Sequence, residues 1–149
     1  MGNRTLAIAA CLLALAPALA VAADLPPRAQ QALARGDVRA EERLGAIYDQ
    51  GRGVAPDPVA AATLYREAAR RGSGAAQLNL ARLYLKGRGV QADPVAAYAW
   101  ADAAAANGES GGQRIIDALA KSMPRAQLAR AQSLAQRYVE LYVSTSITG

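Results

Sequence analysis

The segment YDQGRGVAPDPVAA, residues 48–61, recurs 36 residues later as YLKGRGVQADPVAA, residues 84–97. The similarity extends outward from this segment, since residues 40–73 align without a gap on residues 76–109, with 15 identities in 34 positions. A third copy begins near Gly112 and then stops. Glycine, proline, aspartate and tyrosine supply much of the match, so an alanine-rich composition does not explain it. The chain is therefore built from a 36-residue repeat.

Each repeat predicts a pair of helices joined by a tight turn. In the first helix, Leu44, Ile47 and Tyr48 fall on one helical face. The turn glycines should adopt the left-handed conformation that ends a helix, and each aspartate should cap the next helix, which begins with proline. Val54, the apolar residue of the turn, is expected to point inward. The structural positions of the repeat motif are Gly51, Gly53, Asp57, Gly87, Gly89 and Asp93.

Helices of a different kind flank the repeats. A short helix starts at Pro27, and a long one runs from Pro124 to about Val143. We expect both to act as caps, because the apolar end faces of a solenoid would otherwise be exposed to water. The predicted organisation is an N-terminal capping helix in 24–37, full repeats in 38–73 and 74–109, a partial repeat in 110–120, and a C-terminal capping helix with a polar tail in 121–149.

Residues 1–23 have the three parts of a signal peptide. Arg4 is the only charged residue before Asp24, residues 6–23 form an uncharged stretch of 18 residues, and that stretch ends in the small residues AVAA. Cleavage after residue 22 or 23 predicts a periplasmic or secreted protein without a stable membrane span. Two alternatives stay open, namely an uncleaved membrane anchor and lipidation of Cys11.

Composition excludes several classes of function. The chain has 149 residues, no histidine and one cysteine, which excludes imidazole catalysis, histidine-ligated zinc or haem, and an internal disulfide. We therefore expect no cofactor and no metal. The 38 alanines favour helices over sheet. The net charge of +5 comes from 15 arginines and 2 lysines against 12 acidic residues, but the signs alternate along the chain, so nucleic acid is not expected as a partner.

The repeat motif resembles the Sel1-like repeat (SLR), a relative of the tetratricopeptide repeat. The resemblance rests on LGAIY at 44–48, GRGV at 51–54 and Asp57, and on LARLY at 80–84, GRGV at 87–90 and Asp93. It covers roughly residues 38–120 and implies an all-α fold, a short right-handed α-solenoid of helical hairpins. It also implies a protein-interaction scaffold, often exported in bacteria, and not an enzyme. Some secreted members have been assigned β-lactam binding or hydrolysis together with repeat-linked cysteines, which this sequence lacks.

In this superfamily the first helices of successive hairpins line the concave face, so a partner is expected there. On the first helix of each repeat, the residues expected to face the concave side are acidic or polar in the first copy, combine two leucines with two cations in the second, and are basic in the third. This pattern favours an acidic or amphipathic protein or peptide. The alternative, that neighbouring helices cover the two leucines, stays open. The predicted partner-binding residues are Glu42, Asp49, Leu78, Arg82, Leu85, Lys86 and Arg114.

The expected function is an exported scaffold that binds a protein or peptide through its concave face. The alternatives are a cell-envelope enzyme acting on a β-lactam or on peptidoglycan, and an accessory subunit of a larger envelope complex. The scaffold is favoured because repeat architecture accounts for the conspicuous positions. Asp57 and Asp93 are interpreted as helix caps rather than an acid–base pair, and Tyr65 and Trp100 as core residues.

Overall fold

A computed structural model of the protein describes residues 25–143 and contains seven helices and no strand in that range. The prediction of an all-α fold is confirmed. The predicted signal peptide, 1–23, and the polar tail, 144–149, lie outside the described residues. The helices are α1 (Pro27–Arg35), α2 (Val38–Gln50), α3 (Pro58–Arg70), α4 (Gly74–Lys86), α5 (Pro94–Ala106), α6 (Ser110–Ser122) and α7 (Arg125–Tyr142).

The repeats form two helical hairpins that stack on each other. Helix α2 packs against α3, and α4 packs against α5. The first helix of each later unit also packs on the second helix of the unit before it, so α4 lies on α3 and α6 lies on α5. This arrangement is a helical-repeat solenoid, as the 36-residue period predicted.

Local backbone chemistry sets the helix ends in both repeats. Gly51 and Gly87 end α2 and α4 with φ of 67° and 62°, in the left-handed region that favours glycine. The Asp57 carboxylate accepts a hydrogen bond from the Ala60 amide at 2.9 Å. Asp93 caps α5 in the same way, by accepting from two amides of its first turn. The two copies of the motif therefore make the same turn and the same cap.

The two turns differ in what they pack against. A Cβ built on Gly89 would lie 2.0 Å from the carbonyl oxygen of Pro58, whereas one on Gly53 would meet nothing within 4 Å. The second turn thus sits directly on the start of α3, but the first turn has no preceding hairpin to dock on. For the same reason the expectation that Val54 points inward is wrong, since Val54 is 37% exposed.

Small residues allow the helix backbones to approach each other closely. A Cβ on Gly112 would lie 2.3 Å from the carbonyl oxygen of Ala101, so α6 contacts α5 almost backbone to backbone. The alanines along α3 and α5 are nearly all buried. The alanine content of the chain therefore serves close packing between helices.

The C-terminal helix does not complete a third hairpin. Helix α7 packs on α5 and touches α3, while its backbone hardly approaches α6. Trp100 of α5 lies under it, with ring centroids 4.5 Å from Tyr138 and 5.4 Å from Tyr142. Tryptophan stands here where the first repeat has Leu64, and its extra area is covered by the tyrosines of α7.

A buried glutamine fastens the far end of α7. The Gln77 amide nitrogen donates to the carbonyl oxygens of Ala69 and Tyr142, each at 3.0 Å. Its side-chain oxygen accepts from the Asn107 amide at 2.8 Å. All the polar atoms of this fully buried side chain are therefore used, and three helices and a helix end are joined through it.

The same position in the first repeat carries a charge. Glu41 is fully buried and accepts a hydrogen bond from Arg71 at 2.6 Å. Within the described part of the chain, its second oxygen has no hydrogen-bond partner. Burial raises the pKa of the Glu41 carboxyl above its ordinary value, and the Arg71 guanidinium opposes that rise.

Candidate functional site

The predicted binding residues lie on the first helices of the three units, α2, α4 and α6. Arg82, Leu85 and Arg114 meet in a groove between α4 and α6, with a volume of about 370 Å³. We call it the α4–α6 groove. The structure therefore brings together three residues that the repeat spacing predicted on neighbouring helices. The full lining is Arg82, Leu85, Gly111, Arg114, Ile115, Ala118, Leu119 and Ser122.

The two predicted leucines have different environments. Leu85 is 41% exposed and forms part of the groove wall. Leu78 is only 7% exposed, and a Cβ on Gly111 would lie 2.8 Å from one of its methyl carbons. The prediction of an exposed Leu78 is therefore wrong, because α6 passes directly over that side chain. Leu78 supports the groove from below and offers no surface to a partner.

The apolar part of the groove comes from α6. Ile115 is partly exposed, and Leu119 is almost completely buried at the floor. The sequence analysis assigned Arg114 to this face of α6 and missed both apolar residues. Their spacing with Gly111, at every fourth residue, was the available signal.

A second, polar pocket lies next to the groove and shares Arg82 with it. It has a volume of about 320 Å³ and is formed mainly by α2 and α4. Two further predicted residues, Asp49 and Lys86, line it. Glu42 lines neither cavity and instead accepts a hydrogen bond from the Ser73 hydroxyl at 3.0 Å. The remaining lining residues are Gln50, Tyr65, Asn79, Leu83 and Arg88.

The acidic member of the polar pocket is already neutralised. The Arg88 guanidinium lies 3.3 Å from the Asp49 carboxylate and also donates to the Asp49 carbonyl oxygen. Sequence reasoning did not include Arg88 among the binding residues. The repeated Gly-Arg-Gly turn places Arg88 in the second copy, where the turn reaches back to α2. Its copy, Arg52, forms no ion pair within residues 25–143.

The cations of the groove lack such partners. In the described region, ion pairs form between Arg70 and Glu67, Arg71 and Glu41, and Arg88 and Asp49. None of these involves a groove or pocket cation other than Arg88. Arg82 donates to the neutral side chain of Asn79 at 3.1 Å. The face formed by α4 and α6 therefore carries uncompensated positive charge at three exposed residues, Arg82, Lys86 and Arg114.

The described residues contain no group of side chains that could hold a metal ion. The chain has no histidine, and between residues 25 and 143 no three acidic or cysteine side chains cluster so as to hold a metal ion. Asp57 and Asp93 accept backbone hydrogen bonds at helix starts. Burial raises the pKa of the Tyr65 hydroxyl to about 12.

Between residues 25 and 143, no helix is both long enough and apolar enough to cross a membrane.

Comparison with known proteins identifies the repeat. The model of the Sel1 repeat family matches residues 38–73 and 74–109. A protective antigen of uropathogenic Escherichia coli with an SLR fold is 37% identical, with a TM-score of 0.73 over 77% of this chain and 25% of its own length. A Sel1 repeat protein from Oxalobacter formigenes is 31% identical, with a TM-score of 0.57 over 75% of this chain and 45% of its own.

The chain is thus similar to only part of each longer relative, about a quarter of one and less than half of the other. A comparison of the sequence with curated proteins found no match. The motif, the stacked hairpins and the two solved structures agree on the architecture. The chain therefore contains two Sel1 repeats within an all-α solenoid fold.

Proposed function

We propose that this protein is an exported, non-enzymatic scaffold that binds a protein or peptide through the concave face formed by its first helices. Sel1 repeat proteins generally act in protein–protein interaction, and the fold is typically that of a scaffold. The observation that carries the proposal for this chain is the α4–α6 groove. It combines the exposed Leu85 and partly exposed Ile115 with two arginines that form no ion pair within residues 25–143.

The groove has the composition of a site for a macromolecular partner. Apolar side chains on its floor and walls offer area to bury, and arginine at its rim offers directional hydrogen bonds. Two helices from successive repeats form it, so the stacking of the repeats holds its width. No carboxylate among the described residues lines the groove, and the carboxylates of Asp57, Glu41 and Asp49 serve the fold as a helix cap or in ion pairs, which is why we propose binding and not catalysis.

A steric block of the groove tests the binding site. Ala118 is exposed and lines the groove, whereas Ala120 is exposed on the same helix and does not line the groove. Affinity capture from the cell envelope, read by mass spectrometry, should recover the same partner with the native protein and with Ala120→Tyr. Ala118→Tyr should lose it. Equal recovery with both variants would show that the partner binds elsewhere.

Export is supported by the charge and hydropathy pattern of residues 1–23. We expect the mature protein to begin at Ala23 or Asp24, in the periplasm or outside the cell. The intact mass of the protein purified from the envelope measures this directly. A full-length chain, or one that begins at an acylated Cys11, would contradict signal-peptidase cleavage. Hydrolysis of a chromogenic β-lactam or of cell-wall sacculi above a blank would contradict the scaffold assignment.

A further inference from the structure

We propose that the α4–α6 groove selects an acidic peptide segment that carries an apolar anchor residue, with the anchor between α4 and α6 and the acidic residues beside Arg82 and Arg114. This inference rests on the proposed function, because it names the chemistry of the partner for the same face. It commits to a peptide segment of a protein partner. A nucleic acid, which is also anionic, becomes an outcome of the test.

The size of the groove suits one large apolar side chain and the backbone around it. Its lining on α6 runs from Gly111 to Ser122, which is about 16 Å at the rise of an α-helix. A peptide of about five extended residues, or about three turns of helix, spans that length. The volume of about 370 Å³ lies at the lower end for a binding cavity and leaves room for a single anchor.

The anchor position follows from the apolar atoms. Leu85 on α4 and Ile115 on α6 stand on opposite sides of the groove, and Leu119 lies between them at the floor. Gly111 keeps one end of the groove shallow, because Leu78 fills the space directly beneath it. An aliphatic or aromatic side chain placed between these three residues would bury apolar area on three sides.

The charge requirement follows from the two arginines. Arg82 on α4 and Arg114 on α6 line the groove from opposite helices, and both are exposed. No carboxylate lines the groove within the described part of the chain. The nearest acidic residue along α6, Asp117, accepts a hydrogen bond from Gln113. A peptide carboxylate would supply the missing opposite charge, and a basic peptide would meet like charges.

The orientation of the segment follows from the contrast between the two cavities. On the α2 side, the Asp49 carboxylate forms an ion pair with Arg88, so that end of the face carries charges of both signs. On the α4 and α6 side, the cations stay unpaired. The acidic part of the partner is therefore placed over α4 and α6, with its remaining residues directed toward α2.

Selection from a random library of 12-residue peptides tests this inference without knowledge of the natural partner. The immobilised native protein should enrich peptides in which aspartate or glutamate flanks Leu, Ile, Met or Phe. The variant Arg82→Glu with Arg114→Glu should lose this enrichment and favour lysine or arginine instead. The matched control, Arg130→Glu with Arg137→Glu on exposed positions of α7, should select the same peptides as the native protein. Circular dichroism verifies that all variants are folded.

The selected peptides then give affinities by fluorescence anisotropy. Replacing their acidic residues by glutamine should weaken binding at least tenfold, and replacing the anchor by serine should do the same. Absence of acidic enrichment, or a selection unaffected by the groove charge reversal, would overturn the inference. Tighter binding of a single-stranded oligonucleotide than of the selected peptides would also overturn it. If Ala118→Tyr still abolishes capture of the natural partner in any of these three cases, the proposed function stands and only the peptide chemistry is wrong.

Discussion

Replacing Gln77 by leucine tests whether one buried amide fastens the C-terminal helix to the repeats. The substitution keeps the side-chain size and removes three hydrogen bonds, to Ala69, Tyr142 and Asn107. Each bond is worth about 1 kcal/mol net, which gives about 3 kcal/mol. The Ala69 carbonyl keeps a second donor, the Gly72 amide. We therefore expect a loss of about 2 kcal/mol in the free energy of unfolding.

Two signals report on this loss separately. Far-ultraviolet circular dichroism in urea follows all the helices. Fluorescence of Trp100, the only tryptophan, follows α7, because its ring is covered by Tyr138 and Tyr142. In the Gln77→Leu variant, the fluorescence transition should shift to lower urea than the circular dichroism transition. The reason is that the lost bond to Tyr142 frees the end of α7 before the repeats unfold.

The matched control is Gln113→Leu, the same change at an exposed position of α6, where glutamine bonds only Asp117 on its own helix. It should alter stability by less than about 0.5 kcal/mol. If Gln77→Leu is as mild as this control, the buried amide does not hold α7, and the reasoning from its three hydrogen bonds fails.

Three further predictions concern stability, and each is measured by urea unfolding. Arg71→Ala should cost about 3 kcal/mol at pH 7, because it leaves the buried Glu41 carboxylate without its partner. Burial raises the pKa of Glu41, so below about pH 4.3 its carboxyl is protonated in both the folded and the unfolded protein, and this penalty should disappear. A penalty that does not change with pH would contradict this explanation. Gly89→Ala should cost about 3 kcal/mol or more, because the new Cβ would collide with the backbone of Pro58. Gly53→Ala, at a similar φ but with open space around it, should cost about 1 kcal/mol. Equal costs would refute the docking of the second turn on α3. Asp93→Ala should cost about 1 kcal/mol through loss of the helix cap, and a neutral result would mean that the cap is dispensable.

The helix ends could be predicted from the sequence because short-range chemistry determines them. Gly51 and Asp57 act on backbone groups within a few residues of themselves, so their copies at a constant spacing of 36 predict the same turn twice. The helical faces of the repeats were predictable for the same reason, since a period of 3.6 residues is a local property.

The different placement of large and small side chains in the two repeats could not be predicted in this way. A Cβ on Gly45 would lie 2.8 Å from the ring of Tyr65, so glycine at that position accommodates the tyrosine. The second repeat has Ala81 and Ala101 at these two positions, and the large residue moves one position earlier, to Trp100. Which side chain meets which depends on how the helices pack, and the packing joins residues about twenty positions apart.

The features of the α4–α6 groove also divide into those that the sequence predicted and those that only the tertiary structure decided. Repeat spacing predicted that Arg82, Leu85 and Arg114 share a face, because they follow from helical period and hairpin order alone. Only the tertiary structure decided that Leu78 is covered and that Ile115 opens into the groove. Leu78 is covered because α6 crosses over it at Gly111. Ile115 stays open because α7 packs on α5 and fastens to Gln77 instead of lying along α6. A helix that could have covered the apolar face of α6 is thereby placed elsewhere, and the groove stays open.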